Sequence, residues 1–216
     1  MTDNFNHFRE LVNIMGGLPK DNKNSNLDEF YTIQLIRRGK DNPDMPAANY
    51  KFKVYYIYSQ ADLDKFEGEI KEVCKLLRLR AYVTVTIKSM AQVALNTLYE
   101  SARRIATHDY KKFYSIFEGC TDKYACRGKN LWVIDVDDVS EKDNDFVDRL
   151  IGYINSMNSQ YNGDNVIYTM PTKSGIHLIT RPFNLNEYRK GWHNVFGDIE
   201  LCEAKKNHLT LLYEDL

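Results

Sequence analysis

The sequence lacks any apolar run long enough to cross a bilayer, so we expect neither a transmembrane helix nor a membrane partner. The first residues, from Met1 to Arg9, are polar and do not form the apolar core of a secretory signal, which predicts a cytoplasmic protein. Glycine and proline are scarce, at 11 and 5 of 216 residues, and there is no internal repeat or low-complexity segment. This composition excludes a mainly disordered chain and predicts a globular one.

Cysteine is also scarce, and its four positions are scattered in the way typical of reduced thiols: Cys74, Cys120, Cys126 and Cys202. The pair Cys120 and Cys126, with His108 upstream, could contribute to a zinc knuckle. A fourth ligand is missing and the spacing is loose, so zinc binding stays an open alternative.

The net charge of −1 predicts no partner, but its distribution along the chain is uneven. Between Lys71 and Lys129, twelve Lys and Arg stand against five Asp and Glu, whereas between Asp135 and Asp164 two stand against eight. Such a division is compatible with an ordinary solvated surface. It is also what a metal site beside a nucleic-acid track requires.

The most informative stretch runs from Leu131 to Asp138 (LWVIDVDD), where apolar strand-forming residues lead directly into acidic ones. Because side chains alternate along a strand, Asp135 and Asp137 leave the same face. Two adjacent carboxylates repel each other, and their hard oxygen atoms suit Mg²⁺ or Mn²⁺. The plainer alternative is that acidic residues follow the strand because the chain turns into solvent there. That alternative explains a single aspartate better than two on one face. The opposite face, which we assign to the core, carries Trp132, Ile134 and Val136.

Apolar periodicity and turn signals predict one α+β domain over residues 1–216, made of two modules. The first module, residues 1–130, is predicted as β-β-α-β-α-α after a short helix, with capping motifs at Ser59 and Ser89. The second, residues 131–216, is predicted as β-α-β-β-α-β followed by a short closing strand. That order is the split β-α-β, ferredoxin-like arrangement. The helix that begins after Ser89 has an apolar stripe at helical spacing: Leu95, Leu98, Ala102 and Ile105.

In that topology the strand bearing Asp135 is central, and the strands predicted at 176–181 and 198–203 are its neighbours. We therefore expect His177 and Arg181 from one neighbour, and Glu200 from the other, on the face of the two aspartates. Lys173 and Ser174 lie in the turn at the rim. Carboxylates with nearby His, Lys and Ser donors describe a site for metal ions and a triphosphate.

At these residues the chain resembles the archaeo-eukaryotic primase superfamily, most closely the small primase-polymerases of bacteria, phages and mobile elements. The resemblance spans roughly residues 80–213. It rests on WVIDVD at 132–137, on a Ser-x-His motif that here has one extra residue (SGIH at 174–177), and on the passages TKSGIHLITRPFN and KKNHLTLLY.

The resemblance implies a primase-like fold, with an N-terminal αβ module packed on an RRM-like module, and template-directed nucleotidyl transfer. Asp135 and Asp137 would bind two Mg²⁺ or Mn²⁺ ions with a third acid, for which we select Glu200 over Glu203 and Asp198. Partners would be nucleoside triphosphates, a single-stranded DNA template or primer-template, and other replication proteins such as a helicase. Nucleotide contacts would come from Lys173, Ser174, His177 and Arg181. Template phosphates would lie along Arg78, Arg80, Lys88, Arg103 and Arg104.

Two other functions stay open. The run from Asp135 to Val139 also fits the D-x-D-x-[TV] motif of haloacid-dehalogenase-like phosphatases, in which the first Asp is a nucleophile. Those enzymes carry the motif at the start of a long domain with β-α alternation, unlike the hairpin predicted here. The third reading is a non-catalytic or degenerate primase-like module that binds single-stranded nucleic acid.

Overall fold

A computed structural model describes residues 1–21, 28–42, 49–124, 130–138 and 145–215. The described chain is α+β, with six α-helices and two antiparallel sheets. None of these helices combines the length and apolarity needed to cross a membrane. The sequence also predicts a helix cap at Ser140 with Asp143, and these residues and Cys126 lie outside the described residues.

The strands are β1 (Thr2–Asp3), β2 (Glu29–Arg37), β3 (Tyr50–Ile57), β4 (Arg80–Thr84), β5 (Lys88–Ser89), β6 (Trp132–Val136), β7 (Val166–Pro171), β8 (Ile176–Thr180), β9 (Ala204–Lys206) and β10 (Leu209–Glu214). The helices are α1 (Phe5–Ile14), α2 (Gln60–Leu77), α3 (Met90–Ala106), α4 (Ile116–Lys123), α5 (Phe146–Asn155) and α6 (Leu185–Phe196). Short 3₁₀ turns cover Gly39–Asp41 and Phe113–Ser115.

The first sheet has the order β1-β10-β4-β2-β3, with β5 paired to β2. Helices α1 and α2 pack on one of its faces, where Phe8 and Ile70 join the cluster around Ile33 and Leu35. Helices α3 and α4 cover part of the other face around Phe30. The predicted caps of α2 and α3 are confirmed, since the hydroxyls of Ser59 and Ser89 accept from the third backbone amide of their helices.

The second sheet has the order β7-β8-β6-β9, with every pair antiparallel. With α5 after β6 and α6 after β8, this is the split β-α-β order predicted from the sequence. The predicted face of β6 is confirmed as core, because Trp132, Ile134 and Val136 pack against α5 and α6. The reverse face of the sheet, at Val133 and Ile179, joins the core of the first sheet.

The fourth strand of this sheet differs from the prediction, because β9 begins at Ala204 and residues 198–203 form no strand. Two buried side chains of α6 explain the difference. The indole of Trp192 donates to the carbonyl of Ile199 at 2.7 Å, and the hydroxyl of Tyr188 donates to that of Cys202 at 2.8 Å. These bonds satisfy backbone carbonyls that a strand would have satisfied through its ladder.

Three other predictions about the elements are wrong or incomplete. The closing strand β10 pairs with β4 and β1, so a strand of residues 131–216 completes the first sheet. The last helix of the first module, which the sequence predicts at 110–117, is instead α4, which begins at Ile116. The apolar stripe of α3 is exposed, with Leu95 and Leu98 at 67% and 68% of their full accessibility.

Candidate functional site

The centre of the site is a cross-strand pair on β6 and β8. The antiparallel register places Asp135 opposite His177, and the imidazole Nε2 lies 3.0 Å from the carboxylate Oδ1. The other ring nitrogen, Nδ1, lies 2.8 Å from the hydroxyl of Thr210 on β10. Because an ionised carboxylate can only accept, Nε2 of His177 donates to Asp135. The histidine therefore connects the acidic strand of one sheet to β10 of the other.

A lysine completes the surroundings of the same carboxylate. Lys205 on β9 places its Nζ 2.9 Å from Oδ2 of Asp135. The hydrogen bond from His177, and then that from Lys205, hold the pKa of Asp135 well below its usual range, against the opposing effect of half-burial. Asp135 is therefore ionised at any physiological pH.

These side chains line a cleft of about 390 Å³ between the two sheets. One wall carries five of the residues that the sequence analysis selected: Asp135, Asp137, Lys173, Ser174 and His177. The other wall comes from β2, β4, β10 and the residues after β2. It contributes mainly cationic and apolar side chains: Ile36, Arg38, Lys40, Arg80, Tyr82, Leu209 and Leu211.

The turn between β7 and β8 brings Lys173 and Ser174 beside the aspartates. Thr172 donates its amide to the carbonyl of Gly175 at 2.9 Å and accepts from the amide of Gly175 at 3.1 Å. A Cβ on Gly175 would lie 2.0 Å from the carbonyl oxygen of Val136. Only glycine therefore lets this turn approach the end of β6 so closely.

Two predicted site residues lie elsewhere. Arg181 follows β8 and donates to the carbonyls of Asn162 and Asp164, both at 3.1 Å, so the prediction that it joins the aspartates is wrong. Glu200 is exposed in the irregular segment before β9, so the prediction that it lies on a strand beside Asp135 is also wrong.

The other two candidates for a third acid give the same result. Glu203 pairs with Arg189 at 2.9 Å, and neither it nor Asp198 lines the cleft. Within the described ranges, no three His, Cys, Asp or Glu side chains form a group able to hold a metal ion.

The basic residues predicted to follow a template are divided by the fold. Lys88 is buried and donates to the carbonyl of Asp122 at 3.1 Å, which contradicts contact with a template. Arg80 is also buried and is paired with Asp41 at 2.8 Å and Glu214 at 3.1 Å, so it belongs to the cleft wall and not to an exposed track. The remaining three lie towards the surface at the ends of α2 and α3: Arg78, Arg103 and Arg104.

The sequence analysis missed Lys205 and His208 as cleft residues. Both lie in the passage KKNHLTLLY, which carried part of the resemblance. The strand predicted at 198–203 ended before them, so their faces could not be assigned. Burial, and then the neighbouring Lys205, lower the pKa of His208. With Lys205 included, the cleft lining carries five Lys and Arg against two Asp. Arg80 and Lys205 are ion-paired, and the other three basic residues leave an excess of positive charge that suits an anionic ligand.

Comparison of the chain with protein-family models, with curated proteins and with solved structures gives no match. The chemistry of the cleft is therefore argued from its own residues. Two carboxylates with the hydroxyls of Thr172 and Ser174 are hard oxygen donors, which fit a divalent cation whose remaining positions are filled by phosphate oxygens and water. A second ion would need a further ligand beyond the carboxylates described in the cleft.

Proposed function

We propose that the chain is a template-directed nucleotidyltransferase, the catalytic core of a primase-polymerase acting on nucleoside triphosphates. The observation that supports it is the Asp135–His177 pair, 3.0 Å apart, at a cleft that also receives Lys173, Ser174 and Lys205. The β-α-β-β-α-β sheet that carries the pair agrees with the primase-like fold that the sequence resembles. We extend the proposal to that fold.

Each side chain then has a separate task. Asp135 and Asp137 hold a divalent cation, with the ionised state of Asp135 maintained by its two cationic or donor neighbours. Lys173, Lys205 and the hydroxyl of Ser174 bind phosphate oxygens, while the hydrogen bond from Nε2 of His177 keeps the carboxylate of Asp135 oriented. Catalysis by these residues consists of positioning and charge stabilisation, without a covalent intermediate.

Bound divalent ions would lower the pKa of the attacking hydroxyl and neutralise charge on the leaving pyrophosphate. The proteins that carry out this chemistry use three acids, whereas the described cleft has two. That departure favours a second candidate function, a non-catalytic module that binds single-stranded nucleic acid. The contact of Lys205 with Asp135 also supports it, because an ammonium group there already neutralises the carboxylate.

The phosphatase alternative has less support. The strand carrying Asp135 lies between two antiparallel neighbours, and the β7–β8 hairpin replaces the β-α alternation of that class. Hydrolysis of a generic phosphomonoester that disappears in Asp135→Asn would support it instead.

Primer synthesis and primer extension on single-stranded DNA, with Mg²⁺ or Mn²⁺, test the proposal. We expect incorporation by the wild type and a loss of about a thousandfold or more in Asp135→Asn and Asp137→Asn, since both remove charge that must hold a cation. The matched control is Asp148→Asn, an exposed acid on α5 outside the cleft. If both cleft variants still bind single-stranded DNA, and neither the wild type nor any variant incorporates nucleotides, the chain is the non-catalytic binding module.

A further inference from the structure

Helix α3 exposes an unusually large apolar and aromatic surface. Val93 is its only buried residue, and the side chains that should have formed a core stripe face outward. Six large side chains at the helix and the turn after it are more than half exposed, and we name them the tyrosine surface: Leu95, Leu98, Tyr99, Ile105, Tyr110 and Tyr114. An exposed apolar patch of this kind is typical of an interaction site.

The turn that carries Tyr110 and Tyr114 is hydrogen-bonded to the end of α3. The amide of Asp109 donates to the carbonyl of Arg104 at 2.9 Å, and the guanidinium of Arg104 donates to the carbonyl of Lys111. Within this turn, Tyr114 has 89% of its full accessibility and Tyr110 has 58%. Because these hydrogen bonds restrain the backbone that carries the two rings, we expect a lower entropy cost of binding.

The charge beside these rings is positive. From Tyr99 to Tyr114 the sequence has four Lys and Arg against Glu100 and Asp109. Glu100 is paired with Arg103 at 2.9 Å. In the part of the chain that the structure describes, no carboxylate forms an ion pair with Lys111 or Lys112. A ligand that complements this surface carries negative charge for the lysines and flat groups that stack on the aromatic rings.

The tyrosine surface belongs to the layer that lies next to the cleft. On β2, alternate residues share one face: Phe30 packs under α3 and α4, Gln34 donates to Asp122 of α4 at 3.0 Å, and Ile36 lines the cleft. The α3–α4 layer and the cleft are thus consecutive along one face of the first sheet.

We propose that the tyrosine surface binds unpaired bases of single-stranded nucleic acid, with Lys111 and Lys112 on its phosphates. Flat aromatic rings stack on bases without reading their sequence, and lysines beside them follow the backbone. The strand would enter over α3 and run towards the cleft. The choice of partner rests on the proposed function, but binding is measured without nucleotide or metal ion and so can be judged separately.

The test is fluorescence anisotropy of a labelled oligothymidine with the full chain at low salt. Stacking predicts that Tyr110→Ala/Tyr114→Ala weakens binding about tenfold or more, while Tyr110→Phe/Tyr114→Phe keeps wild-type affinity because the rings remain. Lys111→Ala/Lys112→Ala should reduce the slope of log Kd against log salt by about 1.4, or roughly 0.7 for each lost phosphate contact. Leu76→Ala is the control, since this residue of α2 is 80% exposed and lies outside the tyrosine surface.

Three results would overturn the proposal. The first is an affinity unchanged within about twofold in the alanine pair, and the second is an equal loss in the phenylalanine pair. The third is sedimentation showing a dimer that the alanine pair dissociates while strand affinity stays the same, which would assign the surface to a second copy. Primer extension that persists with unchanged strand binding in the alanine pair would reject this surface and leave the proposed function intact. Absence of nucleotide incorporation by the wild type, with strand binding lost only in the alanine pair, would reject the proposed function and support this surface.

Discussion

Helices α6 and α3 carry the same signal in sequence and have opposite fates in the structure. Both present apolar residues at helical spacing. Tyr188 and Trp192 of α6 are 1% exposed against the second sheet, whereas Leu95 and Leu98 of α3 are more than 60% exposed. The difference teaches that periodicity identifies an apolar face but not the surface that covers it. For α6 the cover is within the chain, and for α3 we assign it to a ligand.

Removal of a buried ring from α6 should have the largest effect on the free energy of unfolding, and it tests this comparison directly. Trp192→Ala deletes an indole that contacts Phe196 at a centroid distance of 4.3 Å and donates to the carbonyl of Ile199. We expect a loss of about 3–5 kcal/mol in the free energy of unfolding, measured in urea. Leu98→Ala on α3 should change it by less than about 0.5 kcal/mol. Similar losses in both would mean that α3 is covered in solution.

A second test compares two glycines, one in a crowded turn and one on an open helix face. Gly175→Ala places a methyl group against the carbonyl of Val136, and we expect a loss of about 1–3 kcal/mol together with displacement of Lys173 and Ser174. Gly68→Ala, on the exposed face of α2 with no atom within 4 Å of the new Cβ, should stabilise the chain by about 0.5–1 kcal/mol. Thermal unfolding of both variants checks the signs. An unchanged Gly175→Ala variant would contradict the tight turn described here.

The smallest expected effect on the free energy of unfolding comes from removing single tyrosine hydroxyl groups. Tyr188→Phe removes the donor to the carbonyl of Cys202 and should cost about 1 kcal/mol, because that carbonyl then loses its partner. Tyr99→Phe removes a hydroxyl from an exposed ring and should have no measurable effect on the free energy of unfolding. Denaturant titration of the two variants decides. Equal costs would show that the hydroxyl of Tyr188 does not stabilise the segment before β9.

Much of the fold could be predicted because its signals are local. The alternation around Asp135, the caps at Ser59 and Ser89, and the strand order of the second sheet all follow from spacing and turn residues. The limits of β9 could not be predicted, because they depend on hydrogen bonds from Trp192 and Tyr188, which are tertiary contacts. The placement of β10 in the first sheet likewise depends on partners far away in sequence.

The site was predictable to the same extent. Asp135, Asp137 and His177 follow from strand alternation and antiparallel register, and Lys173 with Ser174 from the tight turn before β8. Glu200 was misplaced because residues 198–203 form no strand, so the alternation used to assign its face does not apply there. The same error hid Lys205, which contacts Asp135. The basic wall, formed by Arg80 of β4 and by Arg38 and Lys40 after β2, could not be predicted because the sequence does not indicate how the two sheets face each other.

The position of β10 has a consequence for how the protein is made. This strand lies between β1 and β4, and the side chain of Asn4 donates to the carbonyl of Leu211, 207 positions away, at 2.8 Å. A ribosome therefore releases β1 to β5 of the first sheet before β10, the neighbour of both β1 and β4, exists. Until then β4 has an unpaired edge, and Thr210 is not yet present to accept or donate at His177. Removal of β10 should therefore disrupt β1 as well as β4, and a stalled nascent chain would expose an edge of β4 that attracts other strands.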